Sequence, residues 1–414
     1  MVGGGIFSVL GLSVGMAGHS APIAFFLGGL IAILTGNSYA KLGLAFRSDG
    51  GSFTYMEKSV KSENVAAIGG WLLLVGYIGT LALYAYTFGV YGAAMSGSPE
   101  YQVAVHHFLE SFILLLFLGI NLYGIKAAGH TEVLIVLTKV TILAVFAGLG
   151  LFYVKGNYLL PVFNKGAMRL LMGAALIFVA YEGFELIPNA VDEMKNPDRD
   201  LPKSIFISIL IAIIIYIAVS LVAVGNLKPA ELIKYKEYAL AVAARPFLGQ
   251  AGFVLIGLGA LLSTASAINA TLFGTARLGM VMAQDKALPR IFSFRERTKD
   301  IPWVSLVVIT LVTLIFVNVT DLTLISSFAS STFLLIFIFI NFSAIQLREQ
   351  IHMGWVYSLL GFIFSLTSWF ILMVYLWRTN TKALIWLGGF YFAVAIAEFL
   401  FSKRSLLARA KRYI

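Results

Sequence analysis

Hydrophobic positions along the chain gather into twelve blocks, at 6–17, 21–46, 63–96, 103–125, 129–154, 168–194, 203–225, 247–283, 302–319, 322–347, 354–377 and 383–402. Short polar connections separate them. A helix rises roughly 1.5 Å per residue, so about 20 apolar residues cross a bilayer core about 30 Å thick. Eleven blocks reach that length, and tilt accommodates the longest. The first block has about half of it. The pattern predicts an all-α membrane protein.

Composition strengthens this picture. Of 414 residues, 59% are hydrophobic and 12% charged, against about 25% charged in an ordinary soluble domain. A soluble fold this apolar would have nothing to cover its surface. The chain has no cysteine, which removes disulfides, thiol chemistry and cysteine-held metals. Its five histidines, His19, His106, His107, His130 and His352, show no metal-binding spacing, and no catalytic signature is present; neither metal, cofactor nor enzyme activity is expected. The net charge of +10 is spread between the blocks instead of forming a nucleic-acid patch. Taking the connections alternately, one set with the tail holds 18 Lys and Arg and the other holds 9. The richer set is expected to be cytoplasmic, together with the C-terminus of a multi-pass cell-membrane protein. The basic tail "KRSLLARAKRY" then needs only anionic lipid headgroups as partner. Glu110 and Glu398 fall near block ends and are expected to be solvated. Arg277 is expected to snorkel or to close an inner gate with an acid.

Three features inside the blocks carry candidate chemistry. "VGGGIFS" opens the chain with consecutive glycines, each about 1 kcal/mol poorer than alanine in a helix, so non-helical backbone is expected there. The sixth block reads "LIFVAYEGFELIPNAVDEM", where Gly183 and Pro188 weaken the helix and Glu182 and Glu185 flank Gly183. Two interrupted helices, one opening each half of the chain, point to a transporter built from inverted repeats. Freed N–H groups at one break suit a carboxylate, and freed carbonyls at the other suit an ammonium. An α-amino acid presents both. Lys139, in "VLIVLTKVTILAVF", lies ten residues into the fifth block, about 15 Å along the axis and close to the midplane. A charge there is costly. It is either a strut bonded to carbonyls or an ammonium that loads and releases a proton.

These stretches resemble the amino acid–polyamine–organocation superfamily. "GGGIF" matches its glycine-rich break in helix 1. "FVAYEGFELIPNAVDEMKNPDRDLPKSI" matches its helix 6 break and the acidic, Asn-Pro-containing connection that follows. "ARLGMVMAQDKALP" matches the end of helix 8. The chain is most similar to archaeal proton-coupled amino acid transporters, in which a helix 5 lysine stands where sodium-driven relatives hold sodium. The resemblance implies a LeuT-type fold of 5+5 inverted repeats plus two C-terminal helices. The expected units are 1–154, 155–347 and 348–414. The chain is expected to open inside helix 1, with the first half of that helix missing.

The resemblance also implies roles. Gly3, Gly4, Gly5 and Ile6 would meet the substrate carboxylate through backbone N–H groups, and the carbonyls of Val179, Ala180 and Glu182 the substrate ammonium. Lys139 would couple protons, with Ser263 as the helix 8 hydroxyl it contacts, and Glu185 falls where some relatives place a proton-sensing acid. Phe178, Tyr181 and Phe184 would form an aromatic lid, since Val179 is small where some relatives carry a bulky gate. The expected function is proton-coupled uptake of a small neutral amino acid. An acid in the break favours cationic substrates where it faces the site ionised, and the sequence leaves its direction open. Titration of Glu182 or Glu185 in place of Lys139, an exchanger on the same fold, and a nutrient sensor are the alternatives. The expected partners are the substrate, protons and the bilayer, without nucleic acid or an obligate protein.

Overall fold

The structure, a computed structural model, describes residues 1–48, 50–60, 63–97, 102–124, 129–296 and 301–410. Every apolar block becomes helical. The helices are α1 (Gly5–Ala17), α2 (Ala21–Ala45), α3 (Ser52–Ser59), α4 (Glu63–Ser96), α5 (Gln102–Tyr123), α6 (Gly129–Leu151), α7 (Ala167–Leu176), α8 (Pro197–Asn226), α9 (Pro229–Lys234), α10 (Ala239–Gln284), α11 (Trp303–Val319), α12 (Leu322–Gln346), α13 (Trp355–Thr379) and α14 (Thr381–Ala410). Tight 3-10 runs follow α7, at Phe178–Tyr181 and Phe184–Glu193. Among the described residues, nine helices are long and apolar enough to cross a membrane, or ten if the bent pair 167–191 is one span. That is fewer than the eleven full-length blocks. The sixth block is the bent pair, and α11 is an apolar helix of only 17 residues. The α1–α2 stretch is interrupted only by a 3-10 turn at Gly18–Ser20.

Short α1 occupies the centre. It packs against α2, α4, α7, α9, α10 and α12, and Gly5 to Val14 are all buried. Around it, α2 pairs with α8, α4 lies between α5, α10 and α12, and α6 runs along α10. The outer helices carry large apolar side chains outward, such as Phe108, Phe112 and Leu115 on α5 and Trp377, Ile385 and Phe392 on α13 and α14. Such a surface belongs against lipid tails.

The end of α1 away from the glycines is clamped. Gly18 adopts φ +63°, which suits glycine, and stands against the Asn164 side chain. Asn164 Oδ1 accepts the His19 N–H at 3.1 Å. Lys165 Nζ donates to the Gly15 carbonyl at 2.5 Å, a cation on the last turn of a helix. Gly11 faces the Lys236 backbone so closely that a Cβ would collide with it.

Some expectations are corrected. Glu110 is fully buried rather than solvated, because His107 Nδ1 and His106 Nε2 approach its two oxygens at 2.7 and 3.0 Å. Glu398 is also buried and accepts from Trp71 Nε1 at 3.2 Å. The eighth block begins earlier than its hydropathy shows: α10 starts at Ala239 and turns at Gly249, φ +61°. Arg277 stands over the Phe273 ring, 4.6 Å from its centroid.

Candidate functional site

The break after α7 is built from its sequence. Glu182 is extended, with ψ 155°, and Gly183 takes φ 111°, a left-handed conformation that suits glycine. Pro188 lies inside the following 3-10 run. The two halves bend by 50°. Serines of α12 hold the break open: Ser330 Oγ accepts the Val179 N–H at 2.9 Å and donates to Leu176 O at 2.8 Å, and Ser326 donates to the same carbonyl at 3.0 Å.

The opening glycines meet this break. A Cβ on Gly5 would lie 2.5 Å from Ala180 Cα, so only glycine allows the two backbones to touch. One on Gly4 would lie 2.6 Å from the Tyr84 ring and 3.0 Å from Thr264 Cγ2, and one on Gly3 would lie 3.1 Å from Tyr84 Oη and 3.2 Å from Ala267 Cβ. The turn is therefore walled by the 178–181 run, α4 and α10. Ser263 of α10 ties it down, with Oγ 2.9 Å from Gly3 O and 3.1 Å from Val2 O.

The expected binding groups differ in availability. Gly3 N–H is occupied by Met1 O at 2.7 Å. The N–H groups of Gly4, Gly5 and Ile6 open α1, where a helix has no internal acceptors for them. Val179 O accepts Glu182 N–H at 3.2 Å and Ala180 O accepts Tyr216 Oη–H at 3.0 Å; each carbonyl keeps a second lone pair.

The three aromatic side chains face other helices. Tyr181 donates to Phe25 O at 2.6 Å and packs on Tyr216, and Phe178 and Phe184 pack on Phe337, with Phe184 also against Tyr39. The ring over the glycines is Tyr84. It belongs to a stripe of hydroxyl-bearing residues on α4: Tyr77, Thr80, Tyr84, Thr87 and Tyr91, spaced three and four apart. Thr80 Oγ1 donates to Glu182 Oε2 at 2.5 Å. Thr87 Oγ1 lies 2.5 Å from Ser8 Oγ, and Tyr91 Oη donates to Phe7 O at 3.0 Å. This spacing, one face of a helix, was the available signal for residues that motif reading passed over.

Lys139 is buried on α6. The antiparallel α6–α10 register puts Ile142 beside Gly259, 3.1 Å from where its Cβ would be, and Glu132 on the Ser266 hydroxyl. Lys139 falls between these two pairs, at the level where Ser263 bonds the opening turn. Glu132 is seven residues from Lys139, two turns along the same face. Further along α10, Asn269 Oδ1 accepts from Asn121 Nδ2 at 3.0 Å. Glu185 accepts the Gly183 N–H on Oε2 at 2.7 Å.

With this geometry in hand, comparison decides the family: the model for amino acid permeases matches residues 1–396. The chain belongs to the amino acid permease family. It is 33% identical over 406 residues to the uncharacterized protein MJ0609 of Methanocaldococcus jannaschii, covering 97% of this chain and 92% of that protein. It is 30% identical to the inner membrane transport protein YbaT of Escherichia coli, covering 94% and 90%. The serine/threonine exchanger SteT of Bacillus subtilis is 27% identical, covering 74% and 70%. This permease is thus an all-helical, multi-span member of a family of membrane transport proteins.

Proposed function

We propose that this permease takes up amino acids by proton coupling, with Lys139 in place of a sodium ion. The observation that carries the amino acid reading is the contact between the start of α1 and the break after α7, Gly5 against Ala180. The free N–H groups of Gly4, Gly5 and Ile6 then lie near the 178–182 run, where the Val179 and Ala180 carbonyls each keep a second lone pair. A zwitterion fits between them, carboxylate on the helix start and ammonium on the carbonyls. Residues 1–154 and 155–347 are the two repeats whose rocking alternates access, with 348–414 added outside. The lysine-rich connections and the C-terminus are cytoplasmic.

The proton reading rests on burial and register. Protonated Lys139 bridges α6 to the turn held by Ser263, so that losing its proton loosens α1 from α10. The test is uptake into proteoliposomes from a panel of amino acids, under an imposed pH gradient and without sodium. Uptake should follow the gradient, and Lys139→Ala should bind substrate yet no longer respond to it. Gradient-driven uptake that survives Lys139→Ala removes the lysine from the mechanism. Glu182→Gln and Glu185→Gln then identify an alternative proton carrier. The second reading is amino acid exchange, favoured by the likeness to a serine/threonine exchanger. Counterflow without any gradient would establish it.

A further inference from the structure

Glu182 is one of three buried acids, with Glu110 and Glu185, that leave a carboxylate oxygen without a hydrogen-bond partner among the described residues, and the one of them that lies where the chain leaves the helical run after α7. It sits in the break itself, 2% exposed. One oxygen takes the Thr80 hydroxyl at 2.5 Å, and the other, Oε1, is buried and finds no hydrogen-bond partner among the described residues. Glu185, also buried, accepts the Gly183 N–H on one oxygen and likewise leaves Oε1 unpartnered, but its side chain makes no hydrogen bond to α4 among the described residues, whereas Glu182 is bonded to Thr80. A desolvated carboxylate with a single neutral donor is costly, and either a proton or a cation relieves it.

The position of Thr80 gives the direction. It lies one turn before Tyr84 on α4, and Tyr84 covers Gly3 and Gly4. The Glu182 carboxylate therefore belongs to the α4 wall of the glycine turn. A substrate held by its carboxylate on the turn and by its ammonium on the 178–182 carbonyls must send its side chain toward α4 or α10. The α10 wall offers Thr264 Cγ2 and Ala267 Cβ, both apolar. The α4 wall offers an unpaired carboxylate oxygen.

We infer that Glu182 receives a cationic group on the substrate's side chain, so that the site selects α-amino acids carrying a second, positively charged nitrogen. This rests on the amino acid reading above and names the substrate class within it. A charge-assisted bond in a dry site favours the cationic substrate over a neutral one of equal shape by about ten- to a hundredfold.

The test is calorimetric titration of the full chain in detergent with two matched pairs, ornithine against norleucine and 2,4-diaminobutyrate against norvaline. Each pair differs by an ammonium in place of a methyl. The wild type should bind the cationic member at least about tenfold tighter in one pair or both. In Glu182→Gln that ratio should fall to about one, whatever the absolute affinities. Glu182→Asp keeps the charge but withdraws it by one methylene, and should shift the preference toward ornithine, the longer cation. A wild-type ratio of one or less, a ratio unchanged in Glu182→Gln, or no shift in Glu182→Asp overturns the inference while neutral binding leaves the amino acid reading standing. Failure of the wild type to bind any of the four overturns that reading and this inference with it.

Discussion

Two glycines of α1 should respond to alanine with opposite signs. At Gly5 the new methyl would stand 2.5 Å from Ala180 Cα and 2.9 Å from its Cβ, where carbon atoms ordinarily rest at about 3.5–4.0 Å. The overlap is about 1 Å against backbone, which cannot rotate aside as a side chain can, and overpacking of this kind costs about 1–3 kcal/mol. Alanine's helix preference returns about 0.5–1 kcal/mol, leaving a net loss of up to about 2.5 kcal/mol. At Gly15, on the same helix, a methyl meets nothing within 4 Å, so only the gain of about 0.5–1 kcal/mol applies. Thermal unfolding of the detergent-solubilised protein should show Gly5→Ala melting below the wild type and Gly15→Ala at or above it. Because Gly5 also sets the spacing between the start of α1 and the break after α7, its alanine variant should bind amino acid more weakly, by as much as about 70-fold where the whole net loss falls on binding. If Gly5→Ala melts no lower than Gly15→Ala and binds as well, the start of α1 and the 178–182 run are not in the close register described.

Ser263→Ala removes the hydroxyl that holds the Val2 and Gly3 carbonyls, and should cost about 1–3 kcal/mol, read as a lower melting temperature and faster proteolysis of the opening segment. Tyr91→Phe loses one buried bond to Phe7 O and should cost about 0.5–1.5 kcal/mol in the same melt. Lys165 bears on pH. Burial and the neighbouring Arg169 hold its ammonium below the usual 10.5, so the unfolded chain binds its proton more tightly than the folded chain does. Stability from this group therefore rises as pH climbs toward 10.5 and is depressed below that window. The difference in melting temperature between the wild type and Lys165→Met should move in the wild type's favour as pH increases; a pH-independent difference refutes the assignment.

Hydropathy located the spans because a bilayer demands continuous apolar length, and α2, α4 and α12 match their blocks almost residue for residue. It passed over α3 and α9, which are too short or too polar to register, and the leading turns of α10, which Gly249 separates from the long shaft. The break after α7 was legible because Gly183 and Pro188 disfavour a regular α-helix, whereas the expected non-helical glycine run ends sooner than its sequence suggests: Gly4 already has helical dihedrals and Gly5 opens α1. Tyr84 and Thr80 were not legible, because a hydroxyl in an apolar helix looks like routine interhelical bonding until its partner from a distant segment is known. The burial of Glu110 was hidden for a similar reason: a position near a helix end reads as wet, and only His106 and His107 one turn back explain how a carboxylate is sealed there. Lys139 stood out from its sequence alone because nothing else in its block is charged near the midplane. Its level relative to Ser263 required the α6–α10 register.

The clamp at the distal end of α1 determines where this short rod can pivot. With Gly11 lodged on the Lys236 backbone, Gly15 capped by Lys165 and Gly18 nested on Asn164, that end is tied to two connecting segments, one before α7 and one between α9 and α10. Were α1 to pivot as transport would require, it would turn about this anchored tip, and the glycine end would be displaced most.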